Sequence, residues 1–366
     1  MKSLSIVLLV ALLAIGGCAS PLAPPSDQLF KSLGYGVILP IYDDFIDESA
    51  LLSDSAAELC SGPSADLLAQ TQDAWRRTRI PLKKSEAFRF GPMKTLGVDQ
   101  AIDFWPTRPE NIEEVVAATE PIDDTFIENL GTSAKGLPAI EYLLFDPEGG
   151  NEQILVELND PVTGERRCEY LSAMARNVEA KAVLVRQAWD SEDGHFLRDL
   201  ITAGGDSDAY PTVSAATSDF VNSMIFLAES VQGMKIGGPL GKRSGGTPDP
   251  ESAESYYSDN SLNDIIANLE GLQSLYLAKY GIEDGSGFDD FVRLQNPELA
   301  DDIADQIEAA LEAVRAIPPP LTEAVVHHAA LVETAYEEVR QVQVLLEGDF
   351  AGVLGSTVTF SDNDGD

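Results

Sequence analysis

Histidine is nearly missing from this chain: 366 residues contain three, His195, His327 and His328. A site built on imidazoles therefore has almost no material. On a helix the adjacent His327 and His328 would point about 100° apart, unlike the i, i+4 pair of a zinc-binding H-E-x-x-H. They read as helix surface, and His195 as an exposed residue in an Asp- and Gly-rich stretch. Cysteine is equally scarce, at three, with no C-x-x-C spacing for a metal. Positive charge is also short: 24 Lys and Arg face 61 Asp and Glu, a net charge of -37. Such a surface repels phosphate backbones and excludes nucleic acid as a partner. It reads as a solvated acidic surface, the alternative being clustered carboxylates that gather cations. Asp206-Ser207-Asp208 and the terminal Asp362 to Asp366 lack the glutamate that closes an EF-hand loop, and read as acidic tips. No phosphate-binding loop, dinucleotide fingerprint or G-x-S-x-G elbow occurs.

What is present begins with an address. Lys2, an apolar run from Leu4 to Ile15, and Ile15-Gly16-Gly17-Cys18 form a short signal segment. About a dozen apolar residues cannot cross a ~30 Å hydrocarbon core, so residues 1–17 read as a signal peptide removed from the fold. The run resembles a bacterial lipobox, which implies acyl chains on Cys18 and attachment to a lipid membrane. Several acyl chains at about 0.8 kcal/mol per buried CH2 hold far better than one. Ala19 after the cysteine favours the outer over the inner membrane by the same resemblance. The mature chain is then expected in the cell envelope, facing the periplasm, with 18–26 as a proline-rich tether. In an oxidising compartment the remaining pair, Cys60 and Cys168, is most simply a disulfide, with two buried thiols as the alternative.

The rest reads as all-α, because no alternation of apolar and polar residues lasts long enough to predict a sheet. Leu29, Leu33, Val37 and Phe45 recur at helical spacing until Pro40 is expected to break the helix in two. Leu67, Leu68, Thr71, Trp75 and Thr78 place a helix over 64–79. Further helices are expected at 109–119, 122–130 with Gly131 as its C′ residue, 136–145 with Pro138 at its first turn, 151–158, 165–190, from 213 through Val231, 259–280, 297–315 and 319–347. The Gly- and Asp-rich stretch 191–211 suggests a connection between an N-terminal domain, 27–205, and a C-terminal one, 206–366. The Gly- and Pro-rich loop 237–250 is long enough to suggest function or mobility.

The most informative string is Gly136 to Phe145, GLPAIEYLLF. It resembles the signature of the imelysin family, insulin-cleaving membrane protease and its relatives, which reads G-x-H-x-x-E before an apolar helix. The segments 74–92 (AWRRTRIPLKKSEAFRFGP), 102–106 (IDFWP), 234–241 and 254–276, with Ser258, Ser261 and Asn268, resemble the family as well, so that the likeness spans nearly the whole mature chain. The resemblance implies an all-helical fold of two packed bundle-like domains, the motif near their interface, and a role around iron uptake.

The motif is incomplete. His and Glu at i and i+3 would share a helix face and a cation or proton. Here Gly136 and Glu141 match, while the histidine position holds Pro138, which has no lone pair to offer a metal. A metallopeptidase relying on that histidine cannot work as written. Glu141 is left to accept hydrogen bonds from Arg76 or Arg79, to join other carboxylates around a metal ion, or to pair across a helix interface. Arg76, Arg79, Lys235, Glu254, Ser258 and Ser261 are its candidate companions. The sequence thus favours a non-catalytic binder of a metal ion or metal complex. A metal-dependent peptidase with a non-standard site and a partner-binding envelope protein stand as alternatives.

Overall fold

The computed structural model describes residues 26–190, 192 and 194–359. The signal segment, Cys18, the tether up to residue 25 and the acidic tip at 362–366 lie outside them, while Ser26, expected to end the tether, opens the first helix. The only strands among the described residues are Lys279–Tyr280 (β1) and Glu283–Asp284 (β2), a small antiparallel hairpin about Gly281 that periodicity gave no hint of. Everything else regular is helical, as expected. No described helix is long and apolar enough to cross a membrane.

The chain opens with α1, Ser26–Leu33, which buries Leu29, Phe30 and Leu33. Pro40 does not break the helical path after it. A π-helical turn, Gly34–Ile38, runs straight into α2, Leu39–Ser61, and Pro40 sits in the first turn of α2. The wider turn accommodates the ring and the missing N–H that would strain an α-helical ladder. A Cβ at Gly34 would lie 2.1 Å from Leu197 Cδ1, so any larger residue there would have to displace that side chain. Leu197 belongs to Phe196–Ile201, a short helix inside the stretch expected to be only a connection.

Helix α3, Ala65–Ser85, starts at Ser64, whose hydroxyl accepts from Leu67 N, and continues six residues beyond the expected end. Pro81 lies within it. Packing on both flanks holds the helix there, because α3 lies between α2 and the later helix Ser261–Leu277. The motif helix α4 is Leu137–Leu144, α5 is Gly164–Trp189, and α6 is Val213–Glu229, extended by a π-helical segment, Ser230–Ile236. Then come α7, Ser261–Leu277, α8, Pro297–Arg315, and α9, Ala329–Leu345. The helix expected over 319–347 is interrupted at the exposed His328, whose φ of -130° leaves the helical region. Gly131 does not act as a left-handed C′ residue: Leu130 ends its helix in extended backbone and Gly131 has φ -58°.

Packing runs α5 on α2, α2 on α3, α3 on α7, α7 on α8 and α8 on α9. The α3–α7 crossing joins the two halves of the sequence and is unusually close. At Gly271 a Cβ would stand 2.3 Å from the carbonyl oxygen of Lys84. Buried apolar side chains from Leu29 to Ala351 form one connected core. That seam between α3 and α7 is where the site is found.

The cysteine pairing is corrected as well. Cys60 and Cys168 are thiols, not a disulfide. The packing of α2 on α5 does bring them together, but the Cys60 thiol is turned to the backbone, donating to the carbonyl oxygen of Cys168 at 3.5 Å.

Candidate functional site

The motif region is built around a glycine that nothing else could replace. Gly136 caps α4 with φ +83°, and a Cβ on it would sit 2.5 Å from the carbonyl oxygen of Ile102. Trp75 Nε1 pins the next residue by donating to Leu137 O at 2.9 Å. Pro138 occupies the first turn, as expected, and is buried. One turn later Glu141 is 1 % exposed. Neither Arg76 nor Arg79 hydrogen-bonds it. Its carboxylate instead accepts from Ser258 N at 2.9 Å and Ser258 Oγ at 2.7 Å. The reason is position: Arg76 turns its guanidinium over the Phe145 ring, 4.8 Å from the centroid, and Arg79 is claimed by other carboxylates.

Burial raises the Glu141 pKa to about 8, against the opposing pull of the Ser258 hydroxyl, Arg79 and the Ser258 amide. A carboxyl whose folded pKa lies above its ordinary 4.5 lends stability fully present below that value and lost as pH rises towards 8. Glu141→Gln keeps an acceptor for Ser258 and removes the titration. Calorimetric unfolding should therefore show the variant melting above the parent at about pH 9, with no gain at about pH 5.

Beside Glu141 lies a larger cluster, assembled on one face of α3. Arg79, Lys83 and Glu86 follow one another at i, i+4 and i+7 and meet α7 and the loops before α4 and α7. Arg79 forms a fork with Asp264, Nε to Oδ1 at 3.2 Å and Nη2 to Oδ2 at 2.8 Å, and its Nη1 donates to Asp103 Oδ1 at 2.5 Å. Ser255 Oγ and Asn260 Nδ2 also donate to Asp264. Lys83 Nζ donates to Glu86 at 2.6 Å and to Asp103 and Glu254 at 2.5 Å each. Lys235 Nζ reaches Glu86 at 2.8 Å, Asn268 Oδ1 at 2.7 Å and Glu254 at 3.1 Å. Arg79 and Lys83 are essentially fully buried. Three cations thus meet four carboxylates in a largely buried seam, where an ion pair is stable only with such dense hydrogen bonding.

The electrostatics follow from that crowding. Burial disfavours the Lys83 ammonium, as does Arg79, yet Asp103, Glu254 and Glu86 outweigh both and hold its pKa above the ordinary lysine range. Burial likewise opposes the Glu254 charge, but Lys235, Lys83 and Arg79 bring its pKa down to about 2. Glu86 is held well below its ordinary value by Lys235 and Lys83 against its own burial.

Of the residues singled out in the sequence, Arg79, Lys235 and Glu254 fall inside the cluster and Glu141 with Ser258 beside it. Ser261 is a supporting residue, its Oγ accepting from Ser255 N at 3.3 Å. Arg76 lies outside, lining a separate cavity. Missed were Lys83, Glu86, Asp103 and Asp264. The 79–83–86 spacing, along the last turns of α3 and its cap, was the available signal for the first two.

Oxygens of Glu86, Asp103 and Glu254 lie within 4.8 Å of one another, a hard-donor triad of the kind that holds a metal ion. The position between them is filled by Lys83 Nζ. As it stands, the triad does not fit a bare metal. No histidine joins it: His195, His327 and His328 are exposed elsewhere on the molecule. The triad and Lys235 instead form one wall of a cleft of about 240 Å³, whose other walls include Arg89, Phe104, Trp105 and Phe226.

An all-helical protein whose halves meet across a buried ionic cluster, with a G-x-P-x-x-E helix end beside it, is the class that this architecture defines. The Imelysin family, a peptidase family by its designation, matches residues 38–346, and the chain belongs to it. It is 28% identical over 306 residues to iron-regulated protein A of Synechococcus elongatus, covering 83% of this chain and 79% of that protein. The fold is shared with an iron-regulated protein A precursor from Parabacteroides distasonis (TM-score 0.77, 22% identity, 92% and 96% of the two chains) and with an imelysin-like protein from Psychrobacter arcticum (TM-score 0.72, 18% identity, 92% and 99%).

Proposed function

We propose that this imelysin-family protein is a non-catalytic lipoprotein of the cell envelope that binds an iron-containing ligand in the cleft beside the α3–α7 cluster. The observation that carries the reading is the cluster itself. Seven charged side chains, Arg79, Lys83, Glu86, Asp103, Lys235, Glu254 and Asp264, are desolvated at the seam between the two halves and open on one side to a cleft. Burying so much charge is a poor way to gain stability and a good way to hold a fixed electrostatic surface against a ligand. The iron-regulated name of the Synechococcus relative supports iron as the element concerned. Pro138 at the motif's histidine position supports a binder over a peptidase. Lipid on Cys18, with the folded part facing the periplasm and outer-membrane sorting, completes the proposal and follows from the lipobox likeness.

The test is calorimetry on the chain from residue 18 onward with iron salts and iron chelates. Saturable binding that weakens in Glu254→Gln is expected, and its absence with every iron form overturns the reading. One observation favours a second reading. A buried carboxyl whose pKa burial raises to about 8, as at Glu141, suits general acid–base work. Chelator-sensitive cleavage of casein, lost in Glu141→Ala and absent from a mock purification, would establish peptidase activity instead.

A further inference from the structure

The triad of Glu86, Asp103 and Glu254 has the donors of a metal site and yet contains a cation already. Lys83 Nζ stands 2.5 to 2.6 Å from an oxygen of each, so that the lysine makes three short charge-assisted bonds with all three of its protons. Its side chain, carried by α3, is fully buried. Lys235 pairs with two of the same carboxylates, Glu86 at 2.8 Å and Glu254 at 3.1 Å. Every carboxylate of the cleft wall is therefore neutralised by a cation belonging to the protein. A free metal ion entering the cleft would have to expel a desolvated ammonium with no other place to go.

The remaining charge at the cleft is positive and far less engaged. Arg89, in its wall, has Asp99 Oδ2 3.7 Å from Nε, and that Nε makes no hydrogen bond. Its guanidinium lies over the Phe226 ring, 5.0 Å from the centroid, and Lys94 shares the ring at 5.8 Å. Lys94 is exposed and has no ion-pair partner among the described residues. Arg89 and Phe226 also line a second cavity of about 530 Å³, which Lys94 borders as well. The one carboxylate there, Asp219, is occupied in accepting from the Tyr210 hydroxyl at 2.6 Å. On a chain of net charge -37, this is a basic spot with hydrogen-bonding capacity to spare, set against an aromatic face. Planar guanidinium and aromatic surfaces of this kind recognise carboxylates and their complexes.

We propose that Lys83 is the site's own counter-cation, filling the place of a metal ion between Glu86, Asp103 and Glu254, so that the cleft takes its metal as an anionic polycarboxylate chelate anchored by Arg89 and not as a free ion. This rests on the binding reading above and names the ligand class. The shared chemistry, a polycarboxylate, could arrive with or without metal, and the arms of the test separate these.

The test uses the chain from residue 18 onward and calorimetry near neutral pH, with ferric citrate, citrate alone and Mn(II) as probes. Ferric citrate should bind saturably, citrate alone at least tenfold more weakly, and Mn(II) without saturation. Arg89→Gln should weaken ferric citrate at least tenfold. Lys83→Ala should gain a saturable Mn(II) site, lost again in Lys83→Ala with Asp103→Asn. If Lys83→Ala does not fold alone, Mn(II) added on refolding should restore its helical circular dichroism. Saturable Mn(II) binding by the parent, citrate binding as tightly as its ferric complex, unchanged affinity in Arg89→Gln, or no Mn(II) effect on Lys83→Ala overturns the inference. If the parent binds iron salts but not the chelate, this inference alone fails. If it binds no form of iron, the binding reading fails with it.

Discussion

Replacing Arg79 with methionine should cost about 3 to 5 kcal/mol of folding stability, read as a loss of denaturation free energy in urea. Arg79 is 1 % exposed, and its guanidinium holds Asp264 by a fork and Asp103 by a third bond. Without it Asp264 keeps only Ser255 and Asn260 as donors, and a buried carboxylate loses its single counter-charge. The cost arises from the orphaned anion more than from the lost pair. A second substitution should therefore recover much of it: Arg79→Met with Asp264→Leu should be less destabilised than the sum of the two single changes, because it removes both charges together. Equal or greater loss in the double variant would mean that the fork itself, and not the uncompensated charge, carries the effect. Acid should find the same weakness. Glu254 and Glu86 have folded pKa values below their ordinary 4.5, so their contribution is complete above about 4.5 and is lost as pH falls through the folded values, which for Glu254 is about 2.

The helices were legible wherever an apolar stripe recurred at helical spacing, as along Leu68, Thr71, Trp75 and Thr78, because burial of that stripe is what forms them. Prolines misled in both directions. Pro40 was expected to divide a helix, and Pro81 lay beyond an expected end. A π-helical turn absorbs the first, and packing between α2 and α7 carries α3 through the second. Neither is a property of the local sequence. The site was half legible for a similar reason. Arg79, Glu141, Lys235 and Glu254 stood out through their segments' likeness to a family. Their partners Asp103 and Asp264 lie 24 and 185 residues from Arg79, and only the fold brings them together. Charge type alone misassigned Arg76, one turn before Arg79, which faces Phe145 instead of the seam.

Gly136→Ala should be the most damaging single-methyl change near the site, destabilising by about 2 to 6 kcal/mol, the combined range for a strained backbone and an overpacked contact. Both causes are visible. At φ +83° an alanine is in a region that L residues avoid, and its Cβ would meet the Ile102 carbonyl oxygen at 2.5 Å and its carbon at 2.6 Å, backbone that cannot rotate aside. The following residue, Asp103, ties Arg79 to Lys83, so any retreat of Ile102 pulls on the cluster. The motif's glycine is thereby explained without reference to a metal: it lets the helix end that carries Glu141 touch the loop that carries Asp103. Thermal unfolding should show the loss, and the acid-unfolding midpoint of Gly136→Ala should move to higher pH as the loosened cluster protects its carboxylates less. Gly62→Ala, in extended backbone with nothing within 4 Å of the new methyl, should stay within about 1 kcal/mol of the parent. A Gly136→Ala protein as stable as that control would mean that the α4 cap and the Ile102 loop can separate without loss, and that the motif glycine does not place Asp103.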